Sequence, residues 1–337
     1  MTHRSGTHHW ILAATMFLGS AGHQLARAEV ILGPSQFGAD INPYLRFAGG
    51  YNDTPANTVN NSGFYLPSLD LSGVGWRLPG IFSSAAWNVA MIDDRHFVGA
   101  WHTTVNGVVN VGDTINFRPA GTSSIVTRTI ASVQNVPNAD GSTSDVLLGT
   151  LNTPIPAGSG IAAYPITPAA TYPQVIYAYG RQSEVGQNNV SGTQSGISFP
   201  IDGNPAHNEV LDALLFDYDQ PGATGATSPD GLPSTVGNNE AYLNAGDSGG
   251  PSFVLVGGQL QLVGTHAGVT NYAGIGSTKP AGAQDDISFS FDSYLPDYAA
   301  AINAIITPEP SSLALGLFAA GGAVTGYLRS RRRSKSA

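Results

Sequence analysis

Between residues 29 and 290 the chain consists of short runs of Val, Ile, Thr, Phe and Tyr broken by Gly, Asn, Pro and Asp, and this pattern limits its possible folds most. The runs at 86–92, 107–111, 114–117, 123–132, 146–151, 175–179, 252–256 and 260–266 have strand length and are bounded by turn residues. No long amphipathic helix interrupts them, so the spacing predicts an all-β sandwich or barrel. The exception is 293–306, where Tyr294, Ala299, Ile302 and Ile306 recur at helical spacing and predict a terminal helix on the barrel. Segments 57–62 and 222–234 read as surface loops. A 42% hydrophobic content gives the chain enough apolar surface to offset the entropy of ordering, and its 42 glycines lack the three-residue period of collagen.

Charge is distributed in blocks. The whole chain has a formal net charge of -9, yet all 23 acidic residues lie between Glu29 and Glu309 with only seven basic ones, about -16 for that stretch. An acidic body of this kind argues against nucleic acid as a partner, because phosphate contacts need clustered Lys and Arg. The chain has no cysteine, so disulfides and thiolate metal sites are excluded. No cofactor is implied, and acids such as Asp217 and Asp219 could hold a cation, although solvated acidic loops are the commoner reading of such residues.

Half of the 14 basic residues sit at the two ends. Residues 1–28 carry Arg4, an apolar run from Trp10 to Leu18 and a closing Ala26-Arg27-Ala28, the pattern a signal peptidase cuts. At the other end Thr307-Pro308-Glu309-Pro310 precedes an uncharged 311–328 and then Arg329, Arg331, Arg332, Arg333 and Lys335. Eighteen helical residues reach about 27 Å, a marginal span for a hydrocarbon core of about 30 Å, and the basic cluster favours the cytoplasmic side. Segment 307–337 resembles the PEP-CTERM sorting tail of Gram-negative bacteria. That resemblance implies transient anchoring, cutting by an exosortase-type sorting enzyme, and release to the cell surface or an exopolysaccharide matrix. A plain membrane anchor is the alternative.

Gly246-Asp247-Ser248-Gly249-Gly250-Pro251 is the candidate reactive segment. A serine between glycines can sit on a tight turn, presenting Oγ to a carbonyl while the amides of Gly246 and Ser248 stabilise an oxyanion. Serine is a weak nucleophile, so it needs a histidine base, and the histidine needs an acid to fix its tautomer. The Gly-x-Ser-x-Gly core also matches the nucleophile elbow of α/β-hydrolases, which requires an acid and then a histidine after the serine. Only His266 follows, with no Asp or Glu between, so the elbow is rejected.

The partners therefore precede the serine. Beyond the signal segment the histidines are His96, His102, His207 and His266. His102 follows an apolar strand and a small residue, and Asp145 opens the apolar run 146–151, where desolvation strengthens a bond to imidazole. Asp113 and Asp140 read as turn residues.

The order His102, Asp145, Ser248 over roughly 72–306 resembles the chymotrypsin/trypsin-like serine protease family. The serine hexapeptide matches throughout. The histidine segment matches loosely, with Trp101 and Thr103 replacing a small residue and a cysteine. The resemblance implies two six-stranded antiparallel β-barrels, about 72–165 and 166–306, with 29–71 as an N-terminal lead segment. His102 and Asp145 would lie on the first barrel and Ser248 on the second.

It also implies that Tyr242, six residues before the serine, stands at the base of the substrate pocket, which disfavours cleavage after Arg or Lys. His266 resembles a pocket-wall histidine that binds a substrate carboxylate in glutamyl-specific members, and a strand histidine satisfied by the backbone is the competing reading. Members activated by cleavage bury a new N-terminal amine against the aspartate before the serine, here Asp247, so a zymogen step stays open. The expected function is a secreted, surface-sorted serine endopeptidase acting on protein or peptide substrates. The alternative is a non-catalytic surface or biofilm-matrix binding protein on the same fold.

Overall fold

The computed structural model describes residues 31–32, 42–52, 54–77, 87–168, 174–200, 208–216, 236, 239–243, 246–270 and 289–307. Residues 1–28, expected to be a signal segment, residues 222–234, expected to be a loop, the 311–328 run, His207, Asp217 and Asp219 lie outside the described residues. Among the described residues no helix is long and apolar enough to cross a membrane.

The chain begins with a two-residue strand, β1 (Ile31–Leu32). The first barrel then uses β2 (Val74–Arg77), β3 (Trp87–Met91) and β4 (His96–Ala100), a one-turn helix α1 (Trp101–Val105), and β5 (Thr114–Phe117), β6 (Val126–Asn135) and β7 (Val146–Leu151). Its strand order is β2-β3-β4-β7-β6-β5, and Trp76 opposite Asn116 closes the ring. The second barrel uses β8 (Val175–Tyr179), β9 (Val185–Pro200) and β10 (Asn208–Phe216), then β12 (Pro251–Val256), β13 (Gln259–Thr270) and β14 (Phe289–Tyr294), after a short β11 (Ala241–Tyr242). Its order is β10-β14-β13-β12-β8-β9, closed between β9 and β10. Both barrels are antiparallel throughout, and the terminal helix α2 (Leu295–Ile306) follows. The expected all-β architecture of two six-stranded barrels is therefore the observed one.

Burial explains the strand sequences. β6 reads VTRTIASVQN and faces solvent along much of its length, so polar residues alternate with apolar ones. β7 reads VLLGTL and is buried at five of its six positions, because both its faces are covered. Inside this barrel Phe97 lies opposite Gly149 in register, and its ring fills the space that a Cβ on Gly149 would need. Phe97, Ile115, Phe117, Leu147 and Leu151 share one core, while Ile176, Leu214, Phe216, Val254 and Val263 form the other.

Three local expectations are corrected. Segment 107–111 is a turn leaving α1, with the Val108 and Val109 amides donating to the Thr103 carbonyl, so its apolar character reflects the buried Val109. The strand expected at 123–132 runs from Val126 to Asn135, with an irregularity between Ile130 and Ser132. Helix α2 starts at Leu295 because Ser293 and Tyr294 are paired in β14 against β13.

The lead segment forms part of this body. Arg46, 8% exposed, donates to the Val74 and Arg118 carbonyls on the first barrel and to the Tyr179 hydroxyl on the second. Tyr51 reaches Asn88 Oδ1 at 2.7 Å and Tyr179 Oη at 3.1 Å, and Tyr65 donates to the Val185 carbonyl. Its aromatic rings anchor on Trp76, which is fully buried and stacks on Tyr51 at 5.1 Å. Trp76→Ala should therefore cost about 3–5 kcal/mol of stability, measured as a lowered urea midpoint.

Candidate active site

The antiparallel register pairing Ala100 with Val146 brings residue 145 opposite residue 101, which closes the gap between His102 and Asp145. The Trp101 amide donates to the Asp145 carbonyl at 3.1 Å. The Asp145 carboxylate then takes the His102 amide at 2.8 Å, satisfying a free N–H in the first turn of α1. Ala100, at the helix N-cap, has no oxygen with which to do this, so the cap comes from the neighbouring strand. Ser144, fully buried, fixes the entry to β7 by donating to the Val136 carbonyl and accepting from the Val146 amide.

His102 Nδ1 lies 2.8 Å from Asp145 Oδ2 and 3.0 Å from Oδ1. The side chains are 4% and 0% exposed. A carboxylate can only accept, so Nδ1 carries the hydrogen and the neutral ring keeps its lone pair on Nε2, the arrangement of a general base.

The serine segment is a sharp turn on the second barrel. Gly246 and Gly249 take φ values of 104° and 82°, which a side chain would strain. A Cβ on Gly249 would stand 3.3 Å from both the Ala100 amide and the Asn88 carbonyl. The turn therefore abuts the end of β4, two residues before His102, with Ser248 half-buried beside it. The Gly249 and Gly250 amides donate to the His266 and Asp247 carbonyls. Those of Gly246 and Ser248 have no backbone partner among the described residues.

No protein-family model and no curated protein sequence matches the chain.

Asp247 and residues that the sequence did not single out hold this turn. Asp247, 1% exposed, accepts the Arg181 amide at 3.1 Å. The Arg181 guanidinium packs where a Cβ on Gly246 would fall. Burial pulls that guanidinium below its ordinary pKa, against the opposing pull of the Asp247 and Glu184 carboxylates. The preceding Gly180 carbonyl accepts from Asn88 Nδ2 on the first barrel at 2.9 Å, so the loop after β8 ties the turn to both barrels. Arg181 is the sole cation between Arg128 and Lys279, a composition signal that could have marked it.

Of the two residues expected to bind substrate, His266 borders the serine turn, its backbone pairing with Gly249 and Gly250. Tyr242, partly exposed on β11, pairs in register with Ile31 of β1. His266, 1% exposed, has Nδ1 at 2.8 Å from Asp292 Oδ1 and Nε2 at 3.2 Å from the Tyr179 carbonyl. Both ring nitrogens are engaged by acceptors, so the imidazole as placed offers none to a substrate carboxylate. Asp292, fully buried on β14, had no local sequence signal, because only the register of β13 with β14 brings it to His266.

Among the described residues no group of three or more His, Asp or Glu side chains is arranged to hold a metal. Glu209 on β10 is fully buried. Burial first, and then the Asp145 carboxylate, pushes its carboxyl from an ordinary 4.5 up to about 10. The folded protein thus keeps this proton to higher pH than the unfolded chain does. Stability from this group is complete below the ordinary carboxyl range and declines toward about 10, by at most about 1.4 kcal/mol per pH unit. Urea midpoints at pH 5, 7 and 9 should fall accordingly, and Glu209→Gln should flatten the trend.

Proposed function

We propose that the protein is a serine endopeptidase working through an acyl-enzyme intermediate. The observation that carries this reading is the buried His102–Asp145 pair, 2.8 Å apart, on the strand end against which the Ser248 turn abuts. Ser248 Oγ attacks the scissile carbonyl and its proton passes to His102 Nε2. Asp145 holds the ring by Nδ1 and stabilises the imidazolium. The Gly246 and Ser248 amides meet the developing oxyanion, and their lack of backbone partners among the described residues leaves them available for it. His102 then protonates the departing amine, and water, deprotonated by the same nitrogen, releases the acyl group.

Tyr242 in place of an acid at the expected pocket base disfavours substrates with Arg or Lys before the cut bond. The signal segment and the Pro308-Glu309-Pro310 tail support export and sorting to the surface or matrix of a Gram-negative bacterium.

A fluorophosphonate probe tests the reading. The full chain should be labelled and Ser248→Ala should not. Equal labelling of both, or none of the unaltered chain, overturns the assignment and leaves the binding-protein alternative.

A further inference from the structure

Glu209 is used by neither the fold nor the proposed chemistry as a surface acid would be. It is fully buried, and neither carboxyl oxygen has a partner at hydrogen-bond distance among the described residues. The strand carrying it is pinned to the loop that delivers Asp145. The Val210 amide donates to the Thr143 carbonyl at 3.2 Å, and Asn138 Nδ2 donates to the Val210 carbonyl at 2.8 Å. Tyr298 reinforces this seam by donating to Asn138 Oδ1 at 2.8 Å and accepting the Asp212 amide at 3.2 Å.

The groups around Glu209 leave it one electrostatic partner. Asp145, and through it His102, faces it from the first barrel, and the Asp145 carboxylate is the group that acts on it electrostatically. Asp212 on the same strand acts instead on Tyr298 and Asp297, and Asp140 in the adjoining loop is exposed. No cation acts on Glu209 among the described residues. A buried carboxyl in that setting is neutral, and a neutral carboxyl has an O–H to donate. Asp145 can receive it, since Oδ1 already takes two His102 N–H contacts while Oδ2 takes one.

We propose that Glu209 is a positioning residue of the His102–Asp145 pair: from the second barrel it donates its carboxyl hydrogen to Asp145 and so sets how strongly that carboxylate holds the His102 ring. The inference builds on the reading of His102 as general base. While Glu209 is neutral, it shares the Asp145 charge and limits the basicity of His102. When it ionises, a second negative charge stands beside Asp145, and the His102 Nδ1–H bond strengthens. Charge control of the pair thus crosses the seam between the barrels.

The test follows the His102 ring by NMR in the full ¹⁵N-labelled chain, from about pH 5 to 11. In the unaltered protein the Nδ1–H resonance should move at the alkaline end as Glu209 ionises. Glu209→Gln, which keeps a donor and cannot ionise, should retain the His102 midpoint and lose the alkaline step. Glu209→Leu, which has no donor, should raise the midpoint by about one pH unit. An unaltered protein with no alkaline step, or a step that persists in Glu209→Gln, overturns the proposal without relying on the folding of the leucine variant. The measurement is independent of turnover. A ring that responds to Glu209 in a chain the fluorophosphonate does not label refutes the protease reading alone, and a labelled chain with an unresponsive ring refutes this inference alone.

Discussion

Replacing Ser248 with alanine is expected to lower peptide hydrolysis about a million-fold while leaving the urea midpoint unchanged. The size of the loss follows from how the three groups cooperate. In the proposed mechanism Oγ supplies the covalent intermediate, His102 moves the proton both ways, and Asp145 fixes the tautomer that keeps the lone pair on Nε2. Removing His102 should cost about as much, and removing both no more, because each is useless to the chemistry without the other. Asp145→Asn should lose on the order of ten-thousand-fold, since an amide can turn its N–H toward Nδ1 and place the ring hydrogen on Nε2. Steady-state rates on an unstructured protein substrate measure all four. A Ser248→Ala protein that still turns over near the unaltered rate removes the mechanism.

Asp292→Ala should produce a loss of stability as large as that of Trp76→Ala, about 3–5 kcal/mol, or on the order of 10 °C in the unfolding temperature. Asp292 is fully buried, and His266, 1% exposed, is held between it and the Tyr179 carbonyl. Truncating the acid leaves a buried imidazole without its partner. Replacing both members together with leucine should recover part of the loss, since neither an unpaired imidazole nor an unpaired carboxylate is then buried, although the Tyr179 carbonyl loses its ring partner. The same variant decides between the two readings of His266. A lowered midpoint with unchanged cleavage preference marks the ring as structural. An unchanged midpoint with a lost preference for acidic substrates marks it as a substrate-binding group.

Much of the architecture was legible because strand signals are local. Runs such as 114–117, 146–151 and 175–179 coincide with β5, β7 and β8, whose apolar residues are bounded by turn formers. β9 and β10 were not legible. VGQNNVSGTQSGISFP carries too many polar and glycine positions to show a period, and it is a strand because β8 and β10 pair with it on either side. Helix α1 was also missed, since five residues cannot hold a helix by propensity alone. It forms where β4 ends and Asp145 caps it.

The candidate site divides along the same line. The hexapeptide around Ser248 could be read directly, because tight turns are encoded by adjacent glycines. His102 and Asp145 could be nominated by type and setting, and their contact follows from the β4–β7 register. Glu209, Arg181 and Asp292 carried no adjacent signal of their role, because each acts on a partner at least 26 residues away in sequence.

The sequence by itself determined the strand-rich body, the glycine-rich turn around Ser248 and the clustering of positive charge at the ends, since all three depend on neighbouring residues. Only the tertiary structure decided which acid faces His102, which acid faces His266, and that a buried Glu209 stands behind Asp145. Those pairings depend on register and barrel closure, which bring distant residues into a low-dielectric interior where a single proton or charge decides what a side chain can do.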